Sequence, residues 1–131
     1  MTQSRRIEAL GQVTRLRFQV DQAKLAELQA KERDLRQNLH DLVAQRKTQT
    51  PMVGKSNDAA SNAGVGLHWQ LWVDQRRRAI NAELAQLFAQ KADCQAVLRR
   101  SFGQDLAAQA LREKVQAREE KVQAVRASYE S

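Results

Sequence analysis

Apolar residues recur at helical spacing along the first third of the chain. They are separated by steps of three, four and seven residues, which is the spacing of the a and d positions of a coiled coil. The stripe is formed by Phe18, Leu25, Leu28, Leu35, Leu39 and Leu42. Charged Glu32 and Arg46 occupy two of the sites that the stripe skips. This pattern predicts a long helix that packs along one seam.

A second stripe with the same spacing lies in the later part of the chain. It is formed by Val73, Ile80, Leu84, Leu87, Cys94 and Leu98, and Lys91 occupies a skipped site. The stripe is interrupted at residues 101–103 and resumes as Leu111, Val115, Val122 and Tyr129. Because neither proline nor a turn cluster accompanies Gly103, we expect a continuous helix with a change of phase there.

The first helix also shows an irregularity near its start. A second apolar stripe there is out of phase with the main one and consists of Ile7, Leu10, Val13 and Leu16. An offset of this kind predicts a stutter in the coiled coil or a locally straighter helix. Gly11 lies in the same segment and lowers local helix stability by about 1 kcal/mol relative to alanine.

The only proline and three of the five glycines fall between Pro51 and Gly66. Proline breaks a helix interior and glycine weakens it, so this segment predicts the turn of a hairpin. We expect an all-α fold in one domain, 1–131: an antiparallel coiled-coil hairpin with helix 1 over about 3–47, a flexible tip loop over about 48–66 and helix 2 over about 67–130. Helix 2 is the longer, which leaves a C-terminal helical overhang that is marginally stable alone.

Composition agrees with a thin helical seam. Hydrophobic residues make up 42% of the chain but aromatic residues only 5%, which is too few large side chains for a thick core. The net charge of +7 is spread over both arms, since residues 1–47 carry ten basic and six acidic residues and residues 67–131 carry eleven and eight. Nucleic-acid binders usually concentrate their basic residues, so nucleic acid is not the expected partner.

No arrangement of residues typical of an active site is present. Cys94 is the only cysteine, and His40 and His68 lack metal-ligand spacing to other ligand residues. Carboxylates alternate with Lys and Arg, as on a solvated helix. We therefore expect a non-enzyme without metal or cofactor. The N-terminus lacks the apolar run of a signal peptide, and no stretch approaches a membrane span, so a cytoplasmic protein is predicted.

Trp69 and Trp72 follow the predicted loop, with Arg76 one turn later. Two interpretations of the tryptophans remain open. They plug the open end of the hairpin seam, or they form an exposed aromatic patch, since Trp and Arg are enriched in binding hot spots. One tryptophan facing each way would satisfy both.

The whole pattern resembles the FliJ family, the small coiled-coil stalk proteins of flagellar and type III secretion export ATPases. The segments that carry the resemblance are Phe18 to Leu42, the spacing Trp72-x-x-x-Arg76-x-x-x-Ile80 and LREKVQAREEKVQ at Leu111–Gln123. The resemblance implies a non-catalytic stalk whose paired termini insert into a hexameric ATPase. It also implies contacts with the export gate and with export chaperones, and a location at the inner membrane periphery.

The resemblance further implies two groups of partner-binding residues. The tip-side group, toward the export gate, is Leu42, Trp69, Trp72 and Arg76; the terminal-side group, toward the ATPase, is Val115, Val122, Val125 and Tyr129. One alternative is a generic coiled-coil adaptor or chaperone that binds a partner helix or dimerises through residues 111–129. A second alternative is a nucleic-acid-binding helical hairpin that uses the basic excess.

Overall fold

A computed structural model describes residues 2–49 and 59–130, with side chains over 3–47 and 63–130. Two helices, α1 (Thr2–Gln49) and α2 (Ala59–Glu130), account for this described part of the chain. Strands are absent from these two ranges. The prediction of an all-α fold built from two long helices is confirmed.

The helices extend further toward each other than the sequence predicted. α1 ends at Gln49, and α2 begins at Ala59 rather than near Leu67. Gly64 and Gly66 therefore lie inside a helix, and neither has a positive φ. Alanine favours the helix at the start of α2, and each glycine weakens it by only about 1 kcal/mol, so two glycines did not prevent helix formation. The rest of the predicted tip loop, residues 50–58, lies outside the described residues.

Contacts between residues divide the chain into two compact units. The terminal unit consists of Met1–Leu25 and Asp93–Ser131, and the central unit consists of Ala26–Ala92. Each unit pairs a segment of α1 with a segment of α2. The two segments run antiparallel in the terminal unit, where Glu8 pairs with Arg112 and Thr14 with Asp105. They also run antiparallel in the central unit.

The central unit has an apolar seam. Its core consists of buried Leu42, Val73 and Ile80, against which four partly buried residues pack: Leu35, Leu39, Trp69 and Leu84. Glu32 and Lys91 occupy seam sites in the same unit and form an ion pair with an N–O distance of 2.8 Å. The aliphatic stripes of the sequence therefore pair across this seam as predicted.

The terminal unit has a seam of smaller and more polar residues. Its buried or half-buried positions are Ser4, Ile7, Gly11, Thr14, Phe18, Asp21 and Leu25 on α1, and Cys94, Leu98, Ser101, Asp105, Ala108 and Val115 on α2. These positions keep the regular alternation of three and four residues. The stutter predicted for α1 is wrong, because of its four apolar residues only Ile7 is buried, while Leu10, Val13 and Leu16 are exposed.

The phase change predicted for α2 is also wrong. α2 is continuous through Gly103, as predicted, but the seam passes through Ser101, Asp105 and Ala108 without changing phase. Leu111 lies beside the seam and is exposed. The prediction failed because it counted only large apolar residues as seam positions, whereas a two-helix seam accepts Gly, Ala, Ser and hydrogen-bonded polar residues at some layers.

Candidate protein-binding surfaces

The two tryptophans of the tip-side group stack on each other and face different surroundings. Their ring centroids lie 5.2 Å apart with an interplanar angle of 25°. Trp69 is half-buried and packs against the core of the central unit, whereas Trp72 is 49% exposed. The indole N–H of Trp69 is buried and meets no acceptor among the described residues. Trp69 therefore closes the seam, and Trp72 offers an aromatic surface backed by its neighbour.

The other two tip-side residues also differ in exposure. Arg76 is exposed one helical turn after Trp72, and Arg77 and Arg78 are exposed beside it. Leu42 is only 5% exposed and lies in the core with Val73. A side chain placed there packs the two helices together, so Leu42 does not belong to the exposed surface that Trp72 and Arg76 share.

The terminal-side group follows the last part of α2 that packs on α1. Val115 is half-buried and lines a small cleft with Ser4 and Ile7. Every side chain from Gln116 to Glu130 is exposed, including Val122, Val125 and Tyr129. We call Gln116–Glu130 the helical extension. At 1.5 Å per residue it is about 22 Å long.

The helical extension continues the seam pattern of α2. Val115, Val122 and Tyr129 are spaced by seven residues and repeat the position of buried Ala108 and Ser101. In the described chain these side chains meet no opposing helix after Val115. The extension thus exposes side chains at the heptad position that is buried earlier in α2. An exposed apolar stripe on a helix is the kind of surface that a partner groove can bind.

Charged groups in the described chain form structural pairs rather than a reactive cluster. The hydrogen bond that Lys91 donates to Glu32 lowers the pKa of that carboxyl below its ordinary value, and partial desolvation opposes the shift. Over the described residues, no group of three His, Cys, Asp or Glu side chains is arranged to hold a metal ion. The clefts beside the helices are shallow, such as one of about 310 Å³ between Lys31 and Glu83.

One exposed apolar surface was not recognised from the sequence as a surface. It consists of Leu10, Val13, Leu16, Val20, Val97 and Leu111, all in the terminal unit. Leu10, Val13 and Leu16 were assigned to a shifted seam. The signal that could have identified the surface is the regular heptad phase of Ile7, Gly11, Thr14 and Phe18, which leaves those three residues on a neighbouring face.

In comparisons with known proteins, no family model, curated protein or solved structure matches this chain. Among the described helices, none has a stretch that is both long and apolar enough to cross a bilayer.

Proposed function

We propose that this protein is a non-catalytic helical stalk or adaptor that binds a protein partner through its helical extension. The observation that supports the proposal is the exposure of every side chain from Gln116 to Glu130, although Val122 and Tyr129 continue the buried stripe of α2. A lone helix of this length is marginally stable in water, and burial of its apolar stripe by a partner would stabilise it.

The partner we propose is the hexameric ATPase of a flagellar-type protein export apparatus. The sequence resemblance to the FliJ family suggests this partner, and the exposed extension beside the chain termini supports it. In this proposal the extension and the first turns of α1 enter the ring, while Trp72 and Arg76 contact the export gate or a chaperone. The location at the inner membrane periphery belongs to the same proposal.

The experiment is a binding assay between the full chain and the purified export ATPase of the same organism. We expect co-sedimentation and a rise in hexamer formation and ATP hydrolysis. Substitution of Val122→Asp together with Tyr129→Asp should abolish both effects, because it places two charges on the stripe. The matched control is Ala117→Asp with Ala124→Asp, which adds the same charge to the extension away from the stripe. Absence of binding, or equal loss in both variants, would reject the ATPase as partner.

The alternative of a dimeric adaptor rests on the same stripe, since a second copy of the chain is another helix that could cover it. Sedimentation equilibrium separates the two functions. A stable dimer that is lost in the Val122→Asp and Tyr129→Asp variant would support the dimeric adaptor, and a monomer at all concentrations would reject it.

A further inference from the structure

Two lateral faces flank the seam of the terminal unit. Burial assigns Gly11 and Phe18 to heptad position a, and Thr14 and Asp21 to position d. On α2 the a positions include Leu98 and Asp105, and the d positions include Ser101 and Ala108. In an antiparallel pair of helices, g positions of one helix lie beside g positions of the other, and e positions lie beside e positions. Each unit therefore has a g/c face and an e/b face.

The clefts beside the seams agree with this assignment. In the terminal unit, one cleft is lined on its outer sides by Glu8, Gln12, Arg15 and Gln109, which all occupy e or b positions. In the central unit, another cleft is lined by Lys31, Asp34, Glu83, Gln86 and Gln90, which all occupy g or c positions. The side chains of both helices thus meet on the faces that the heptad assignment gives.

The g/c face of the terminal unit carries five exposed apolar residues, interspersed with Arg17, Lys24 and Gln104. The residues Leu10, Val13, Val20, Val97 and Leu111 occupy g or c positions and are between 43% and 62% exposed. Leu16 lies next to them at an f position and is exposed too. The g/c face of the central unit is polar over residues 27–41 of α1 and 83–90 of α2. Contiguous exposed apolar residues on a soluble surface commonly mark an interaction site.

Basic residues surround this apolar strip. Over residues 2–25 and 93–118, the basic side chains at g and c positions are Arg6, Arg17, Lys24, Arg100, Lys114 and Arg118. Asp93 is the acidic residue at these positions. On the e/b face of the same ranges, Arg5, Arg15 and Arg99 are offset by Glu8 and Glu113. The excess of positive charge in the terminal unit is therefore concentrated on the same face as the apolar strip.

We propose that the g/c face of the terminal unit binds an acidic amphipathic helix of a partner protein. A helix fits because the apolar residues repeat at coiled-coil spacing, with Leu10, Val13 and Val20 on α1 and Val97 and Leu111 on α2. Such a partner would lay its apolar stripe along the strip as a third helix. Acidic residues beside its stripe would complement the basic side chains and accelerate association.

Other occupants fit this face less well. A second copy of the chain would bring two basic faces together, and like charges oppose such a contact. Membrane-surface helices usually carry Trp or Phe on their apolar face, whereas the apolar residues of this strip are Leu and Val. Nucleic acid recognises cations through its phosphates but gains little from a strip of exposed Val and Leu. This inference goes beyond the proposed function, which uses the helical extension.

The experiment uses the full chain and a labelled synthetic peptide of about four heptads with Leu at a and d and Glu at e and g. Fluorescence anisotropy should show binding that weakens with salt but persists near physiological ionic strength. We expect Arg17→Glu with Arg100→Glu to weaken binding by about tenfold or more. The matched control, Arg15→Glu with Arg99→Glu, makes the same charge change on the e/b face and should weaken binding less than about threefold.

A second pair of variants tests the apolar strip. Val13→Asn with Val20→Asn should reduce peptide binding, whereas Leu106→Asn, an exposed apolar site on the e/b face, should not. Circular dichroism verifies that each variant keeps its helix content. Val122→Asp with Tyr129→Asp should leave peptide binding unchanged, so failure of the proposed ATPase contact and failure of this inference are distinguishable.

Several results would overturn the inference. Absence of peptide binding even at low salt would do so. An equal loss of peptide affinity in the two arginine variants would also do so, because it would indicate unspecific electrostatic attraction. If this face binds phosphatidylserine vesicles in preference to the peptide, its partner is a membrane. If it binds duplex DNA in preference to the peptide, its partner is nucleic acid. A dimer that is lost on Val13→Asn with Val20→Asn would assign the face to a second copy of the chain.

Discussion

Lys91 Nζ donates a hydrogen bond to Glu32 Oε2 at 2.8 Å, which joins α2 to α1 within the central unit. Arg36, one turn along α1, contacts the other carboxylate oxygen of Glu32 at 2.8 Å. The pair occupies seam sites where a coiled coil usually places apolar residues. The hydrogen bond from Lys91 is the main cause of the lowered pKa of Glu32, because it favours the ionised carboxylate.

The lowered pKa predicts how this pair contributes to stability as pH changes. A carboxyl group whose pKa is lower in the folded state stabilises the fold above its unfolded pKa, here 4.5, and this contribution disappears as pH falls through the folded pKa. We expect Glu32→Gln to lower the free energy of unfolding at neutral pH, and to have a progressively smaller effect as the pH falls below 4.5. Urea unfolding at several pH values measures this.

The control for the pH experiment is Glu27→Gln, because Glu27 pairs with Lys31 only on the exposed surface, at 3.7 Å. Its effect should be small at every pH, since exposed ion pairs contribute little. A destabilisation by Glu32→Gln that does not change with pH would contradict the assignment.

The buried carboxylate of Asp21 predicts a stabilising substitution. Asp21 is 8% exposed, and its Oδ2 atom meets no hydrogen-bond partner among the described residues. Because a buried polar atom without a partner is costly, Asp21→Leu should raise the free energy of unfolding by about 1–2 kcal/mol. Thermal or urea unfolding measures the change. Asp105→Leu should gain less, because Asp105 accepts hydrogen bonds from Thr14 and Gln109 that would be lost.

The aliphatic core of the central unit predicts a large loss at one residue. Ile80 is almost fully buried, so Ile80→Ala should reduce the free energy of unfolding by about 2–5 kcal/mol through lost burial and the cavity left behind. Phe88→Ala removes a larger side chain that is 71% exposed and should cost far less. Equal losses in the two variants would show that the seam does not run through Ile80.

The tryptophan pair predicts two different responses to a fluorescence quencher. Trp72 is exposed, so in a Trp69→Phe variant the remaining emission should be quenched efficiently by acrylamide and iodide. In a Trp72→Phe variant the half-buried Trp69 should be quenched less and emit at shorter wavelength. Identical quenching constants in the two variants would contradict the arrangement.

The helical extension predicts rapid exchange of its backbone amides. Every side chain from Gln116 to Glu130 is exposed, so local opening of this segment should cost little free energy, whereas amides around Val73 and Ile80 should be protected. Hydrogen exchange followed by mass spectrometry compares the two segments in one sample. Strong protection of the extension at low protein concentration would indicate contacts that the exposure of these side chains does not show.

Much of the fold was predictable because the seam of the central unit consists mainly of large aliphatic residues. Leu35, Leu39, Val73, Ile80 and Leu84 repeat at heptad spacing, and the structure pairs them as expected. The prediction of a C-terminal overhang also holds, although packing extends to Val115. These features depend on periodicity alone, which sequence analysis detects well.

The terminal unit was less predictable because many of its seam positions hold small or polar residues, which leave no hydrophobic stripe in the sequence. Ser101 and Asp105 are buried and Gly11 and Thr14 half-buried in this seam, and the Thr14 hydroxyl lies 3.2 Å from an Asp105 oxygen. Each of these residues is common on helix surfaces, so its burial follows only from the partner across the seam.

The candidate surfaces were predicted in part. Trp72 and Arg76 are exposed, as are Val122, Val125 and Tyr129, and their partner-binding roles stay predictions. Leu42 was placed on the tip-side surface from its position near the loop, and it packs in the core instead. Its position near the loop along the chain did not indicate whether its side chain faces the other helix or the solvent.

The seam has small and polar residues in the terminal unit and large aliphatic residues in the central unit, so the two helices should separate in the terminal unit first. The terminal seam contains small side chains such as Gly11, Thr14, Ser101 and Ala108 and buries little apolar area, whereas the leucine-rich layers around Ile80 bury more. Thermal fluctuations will therefore separate the first turns of α1 before they disturb the central core. Each separated turn of α1 leaves a further turn of α2 without an opposing helix.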